Sequence, residues 1–354
     1  MDKKSKKFLH DLVLAPSPSG FEQPAQEVYR QFIAEYADEV KTDVHGNVIA
    51  LKHGSEKIRF MVVGHADEIG LMIKYIDDDG FLRFSAIGGI DGSLLPGLRV
   101  NVYSASNVFK GVIGRKPIHL LDSEERNRAP KLSDLWIDIG AKNKKEAQKM
   151  VSIGDFATFA PGVDELNTDI MTTKATDNKA GVYVAAGVLK EIGKQKIAAN
   201  VYSVSSVQEE IGLRGAKTSA FQIDPQVSIA IDVTHATDYP GMDKNNLGDI
   251  RLGKGPVIAR GANINPQVFK MLVSAAKEAK VDYQIEAAPR GTGTDANAIQ
   301  VSRAGVATGL ISIPNRYMHT PNEIISYKDL DGAVKIITQF ARMLNDKSDF
   351  IPST

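Results

Sequence analysis

The run IRFMVV, residues 58–63, is apolar at five of six positions and stops abruptly on GHADEIG. A strand of this kind has both faces buried, so it belongs inside a sheet covered by helices and not in a sheet with one wet face. Other strand-like segments behave alike. VYSVSSV runs into Gln208–Glu209–Glu210, VSIAI into Asp232, and VATGLISIP leads after a short turn to His319. Between them lie helical patterns. Phe8, Leu9, Leu12 and Val13 recur at helical spacing, and after the breaker APSPSGFE so do Val28, Tyr29, Phe32, Ile33 and Tyr36. KAGVYVAAGVLKEIGK (179–194) and TDANAIQVSRAG read as helices. A further helix starts at Asn265–Pro266, with Asn as N-cap and Pro in the first turn. The last helix, from Tyr327 to Leu344, buries Leu330, Val334, Ile337, Ala341 and Leu344.

From about Gly70 to Pro161 the pattern changes to short strands and tight turns, among them LMIKYIDDDGFLRFSAI, LRVNVYS, FKGVIGR and DLWIDIG, with one short helix, KKEAQKMV. Leu120 to Asp134 is charged and is expected to be a mobile loop. The expected architecture is an α/β domain from residues 1–69 and 162–354, interrupted by a β-rich module at 70–161.

Composition narrows the chemistry. The 354 residues carry 43 basic and 43 acidic side chains, so no electrostatic case exists for nucleic acid or an anionic membrane as partner. No stretch reaches the roughly 18 apolar residues of a membrane span. The basic N-terminus lacks a signal-peptide core, and a cytoplasmic location is expected. With no cysteine, thiolate chemistry is excluded, and any metal must be held by His, Asp and Glu.

Ligand-type residues recur where the buried strands end: His65 and Asp67, Glu209 and Glu210, Asp232, and His319, with Asp177 opening a helix. In open α/β sheets the crevice beyond the carboxyl ends of the strands is the usual ligand site. Taken singly, each has a plain alternative. His65 fits a core histidine, Asp177 a helix N-cap, Asp232 a turn former, and the Glu pair a solvated strand end. Taken together, so many carboxylates in one cleft repel one another unless divalent cations are bound. Asp67, two residues after His65, is placed to orient its ring. His235 is a weaker ligand candidate. In PRGTGTDAN, Arg290 and Asp295 are candidates to face a substrate. No G-x-G-x-x-G, P-loop or G-x-S-x-G occurs.

The segments GHADEIG, ATDNKAG, SVQEEIGLRGA, AIDVTHATD, GTGTDANAIQ and YMHTPNEI resemble, in order and spacing, the tetrahedral (TET) family of dinuclear metallo-aminopeptidases. The resemblance spans essentially the whole chain. It implies a mixed-sheet catalytic domain of metallo-exopeptidase type with an inserted, PDZ-like dimerisation domain. It also implies dimers that build a hollow dodecamer. Two divalent cations per subunit, zinc or cobalt first and manganese as well, would be held by His65, Asp177 as bridge, Glu210, Asp232 and His319. Glu209 would act as general base and acid for a metal-bridging hydroxide, with Asp67 orienting His65. Adjacent side chains on an extended segment point apart, which would let Glu210 bind metal while Glu209 faces the water.

Peptides are the implied substrates, with a neutral, leucine-like first residue expected from a pocket lined by residues such as Leu310 or Ile313. An acid-specific pocket using Arg290 is the alternative. A carboxylate-based glycosidase would leave His65, His319 and Asp177 without a role, and a non-catalytic assembly protein would not need the intact ligand set.

Overall fold

The computed structural model describes residues 1–105, 107–160, 162–193 and 195–352. Residue 161, where the inserted module is expected to end, and residue 194, the last of the helical reading 179–194, lie outside them.

The chain forms a mixed α/β fold around an eight-stranded sheet. In spatial order its strands are Glu39–Thr42, Val48–Lys52, Asn200–Ser206, Arg59–His65, Val227–His235, Ala307–Asn315, Val257–Gly261 and Gln284–Ala288. The four central strands, Asn200–Ser206 through Ala307–Asn315, are parallel, so their carboxyl ends share one edge. Phe60, Met61, Val62 and Val63 are all fully buried, as a strand covered on both faces requires.

Helices cover both faces. On one side Lys3–Leu14, Gln23–Ile33, Thr176–Ile192, Pro266–Glu278 and Tyr327–Met343 pack over the sheet, with Phe8 stacked on Phe32 at 3.9 Å. The expected C-terminal face is present, with Leu330, Val334, Ile337, Ala341 and Leu344 all buried. Gln23–Ile33 stops short of Tyr36, which follows in the next turn. On the other side lies Arg214–Ile223, a helix that the turn-like IGLRG conceals in the sequence.

The segment from Gly70 to Phe159 closes into a six-stranded barrel with its own core of Leu71, Ile73, Val100, Val102, Ile113 and Ile137. The segment from Leu120 to Asp134, expected as a mobile loop, instead contains a helix, Ser123–Asn127, and a 3-10 turn, Leu132–Asp134. Asp122 starts the helix through a capping box with Glu125, which charge density alone did not reveal. A small sheet of Val163–Glu165, Ile170–Thr173 and Glu323–Ser326 was also not foreseen. Val163–Glu165 and Ile170–Thr173 form a hairpin, and its second strand pairs antiparallel with the distant Glu323–Ser326.

One contact sets the geometry of everything that follows. The long helix Thr176–Ile192 lies against the strand Arg59–His65 so closely that a Cβ on Gly64 would sit 2.3 Å from the Gly181 carbonyl carbon and 2.6 Å from the Val182 nitrogen. Glycine at position 64 permits this approach, which sets Asp177 beside His65, and glycine at 181 leaves room for the Asn178 side chain. Gly64→Ala is therefore expected to cost about 2–3 kcal/mol, as overpacking of rigid backbone does. A urea unfolding midpoint equal to that of the parent protein would contradict this packing.

Candidate active site

The parallel edge delivers the reactive groups. His65 is the last residue of its strand, Asp232 lies near the end of Val227–His235, Glu209 and Glu210 follow Asn200–Ser206, and His319 follows Ala307–Asn315. Asp177 comes from the start of Thr176–Ile192. Helical dihedrals set in only after Asn178, whose Nδ2 donates to the Ile231 carbonyl at 2.7 Å and whose Oδ1 accepts the Gly181 N–H at 2.9 Å. Asn178 thus ties the helix start to the strand that bears Asp232.

All five expected metal ligands and Glu209 meet here. Asp177 lies between the two imidazoles, with Oδ1 at 3.3 Å from His65 Nε2 and Oδ2 at 3.2 Å from His319 Nε2. Around His65 Nε2 stand Glu209 Oε2 at 3.7 Å and Asp232 Oδ1 at 3.8 Å. Glu210 Oε1 is 3.4 Å from His319 Nε2. Both rings turn Nε2 inward because Nδ1 is engaged behind, by the Asp67 carbonyl at 3.1 Å for His65 and by the Gly89 carbonyl at 2.9 Å for His319. A carbonyl only accepts, so Nδ1 carries a proton in either charge state, and the proton on Nε2 is the one a bound cation would displace. Its loss leaves the tautomer a metal ligand needs.

Two expectations change in detail. Glu209 and Glu210 do not lie on an extended segment. They occupy a turn opened by Gln208 at φ 56°, and the Gly212 and Leu213 N–H groups both bond to the Glu209 carbonyl. Their side chains diverge all the same. Asp67 reaches His65 more closely through its backbone carbonyl than through its carboxylate, which is 3.4 Å away. The carboxylate also accepts the N–H groups of Glu209 at 3.0 Å and Glu210 at 3.1 Å and the Ser19 hydroxyl at 2.7 Å. Asp67 therefore holds the Glu turn as well as the ring.

The electrostatics show an excess of buried negative charge. Burial pushes Glu209 up to about 10; His65 opposes this, and Asp232, Asp295 and Glu210 add to it. Burial likewise raises Glu210 and Asp232. Asp177 and Glu210 push His319 up to about 11. His65 is raised despite its burial, by Glu209, Asp177 and Asp67. Asp177 is held low, against its burial, by the two imidazoles. Two histidines carry what positive charge the cleft has. The donor atoms fall into two groups, His65–Glu209–Asp232 and Asp177–Glu210–His319, each with its atoms within 4.8 Å of one another. This donor set fits a pair of divalent cations, and imidazole with carboxylate suits zinc, cobalt and manganese.

Residues not singled out from the sequence support the site. Glu323 is buried and accepts the N–H of Asp177 at 2.9 Å, the N–H of His319 at 3.0 Å and the Thr176 hydroxyl at 2.7 Å. Its only signal was its place in YMHTPNEI. Burial and the nearby Asp177 raise it to about 7. From the barrel, Gly88 and Gly89 close over the site. A Cβ on Gly89 would lie 3.2 Å from His319 Nδ1, and one on Gly88 3.1 Å from Glu210 Oε2.

Other candidates fall elsewhere. The site opens into a cavity of about 550 Å³. Arg290 is exposed and does not line it, because the loop after Gln284–Ala288 carries it outward. Asp295 is buried behind the site, bonded to the Ser206 hydroxyl at 2.7 Å, and does not face the cavity either. Leu310 and Ile313, on a central strand, belong to the core. His235 lies on the cavity's lip, outside both donor groups.

The sequence profile of the M42 glutamyl aminopeptidase family matches residues 46–336. The chain belongs to the M42 peptidase family. It is 37% identical to the lysyl aminopeptidase of Pyrococcus furiosus over 98% of this chain and 99% of that one. Among solved structures, an aminopeptidase from the archaeon Desulfurococcus kamchatkensis superposes with a TM-score of 0.90 at 39% identity, covering 96% of this chain and 95% of that one. The TET1 peptidase of Pyrococcus horikoshii superposes at 0.86 with 34% identity, covering 96% of this chain and all of the other. This M42 chain is thus a peptide hydrolase of aminopeptidase type.

Proposed function

We propose that this chain is a metal-dependent aminopeptidase that removes the first residue of peptides, with two divalent cations and Glu209 as the proton carrier. The observation that carries the reading is Asp177, whose two oxygens are shared between two inward-facing imidazoles. His65, Asp177 and Asp232 would hold one cation, and Asp177, Glu210 and His319 the other. By distance alone Glu209 belongs with the first group. Asp177 Oδ1, at 3.3 Å from His65 Nε2, is the nearest carboxylate oxygen to it and supports Asp177 as the shared ligand, while Glu209 at 3.7 Å and Asp232 at 3.8 Å are given their separate roles by the TET-family pattern.

Bound cations would supply Lewis acidity to the scissile carbonyl and acidify a nearby water. The chain's own groups do the rest. Glu209 takes a proton at Oε2 as the water oxygen bonds to the carbonyl carbon. It returns that proton to the amine nitrogen as the C–N bond breaks. The substrate's free α-amino group would sit beside the cation set of Glu210 and His319, which would restrict cleavage to the chain end.

Self-association through the barrel is part of the same reading. Ile118 and Leu120 are 64% and 66% exposed there, and Val108 and Val112 are 51% and 47% exposed. Apolar surface of this kind marks interaction sites. The related Pyrococcus horikoshii TET1 peptidase is described as assembling into a tetrahedron or a large octahedral shell. A dimer-based dodecamer is the corresponding assembly for this chain. No helix among the described residues is long and apolar enough to cross a membrane, in keeping with the cytoplasmic location proposed here.

Glu209→Gln is expected to retain two equivalents of transition metal by elemental analysis while kcat on an aminoacyl anilide falls about 10²- to 10⁴-fold. Parent-like turnover would remove Glu209 from the mechanism. Light scattering of the purified protein should give a mass of many subunits, and a monomer at micromolar concentration would refute assembly through the barrel.

A further inference from the structure

Beyond the cation donors and Glu209, one more carboxylate among the described residues lines the cavity. Glu286 lies on the strand Gln284–Ala288 at the sheet edge and is half-buried. Its two oxygens are 3.1 and 2.9 Å from the Thr234 hydroxyl. A hydroxyl donates one hydrogen bond, so most of the carboxylate's accepting capacity is unused. Among the described residues no lysine or arginine pairs with it, and none lines the cavity.

Its position relative to the reacting centre follows from the strand. Thr234 is two residues beyond Asp232 on Val227–His235, so the two side chains lie on the same face, about 7 Å apart along the chain. Glu286 therefore stands roughly one side-chain length past the cation donors. It belongs to neither donor group, so bound cations would not neutralise it. Leu213 and Met318 supply apolar wall to the same cavity.

We infer that this cavity selects a basic first residue, lysine or arginine, and that Glu286 reads its cationic head while the apolar wall takes its stem. The inference rests on the aminopeptidase reading and deepens it. An unpaired carboxylate in a partly desolvated wall attracts a cation, is indifferent to an apolar tip and repels an acid. It differs from the neutral preference expected from the sequence, whose suggested lining residues Leu310 and Ile313 lie in the core, and from the acid-specific alternative, whose Arg290 is exposed and does not line the cavity.

The test measures kcat/KM of the metal-loaded enzyme on anilides of lysine, arginine, norleucine, leucine and glutamate. Norleucine has a similar stem without the charge, so the lysine-to-norleucine ratio isolates the ionic contact. The parent enzyme is expected to favour lysine over norleucine by about 10- to 100-fold, with glutamate the poorest. Glu286→Gln should bring that ratio close to one, mostly through KM, and Glu286→Arg should move glutamate ahead of lysine. A parent enzyme that prefers norleucine, leucine or glutamate overturns the inference and leaves the aminopeptidase reading standing. So does a Glu286→Gln variant whose lysine-to-norleucine ratio is unchanged. Failure to cleave any of the five would instead defeat the aminopeptidase reading itself.

Discussion

The structure is organised around a charge imbalance. At the carboxyl edge of four parallel strands, Asp177, Glu209, Glu210 and Asp232 share a largely buried cleft with only two imidazoles. Water cannot screen groups in such a place, and each added carboxylate raises the cost of the next. The upward displacement of Glu209 and of Asp232 expresses that cost. A pair of divalent cations removes it, and the fold supplies donors in the two sets such a pair requires.

Holding those donors falls to groups that touch no substrate. Glu323 fixes the backbone of Asp177 and His319 together, Asp67 fixes the Glu209–Glu210 turn, and Asn178 joins the helix start to the Asp232 strand. A buried ion-pair cluster lies one layer behind. Glu68 receives Lys174 Nζ at 2.7 Å and Lys179 Nζ at 3.1 Å, and Lys179 also donates to the Ala15 carbonyl. It joins the strand end, the small sheet, the long helix and the N-terminal loop at one point. Lysines there place positive charge behind an acidic cleft without obstructing it. The barrel contributes as well, since the Gly89 carbonyl sets the His319 tautomer.

Much of this was readable from residue order. Apolar runs that stop on His, Asp or Glu announce buried parallel strands with functional ends, and Arg59–His65 and Val227–His235 follow that rule. The barrel was visible as a change from helical to alternating periodicity near Gly70. What stayed hidden depends on contacts distant in sequence. Glu323 matters because its carboxylate folds back to Asp177, 146 residues away. Arg290 and Glu286 sit four positions apart by number, yet only Glu286 lines the cavity, and although Pro289 and Gly291 mark a turn they do not say which side of it faces the site. The capped helix at Ser123–Asn127 was concealed by the charges that build its cap.

Crystals of the protein grown with zinc or cobalt, with anomalous diffraction recorded at the metal edge, test the central claim most directly. Two peaks about 3.5–4 Å apart are expected, with Asp177 between them, His65 and Asp232 on one side and Glu210 and His319 on the other. A single peak, or a pair bound without Asp177, would contradict it.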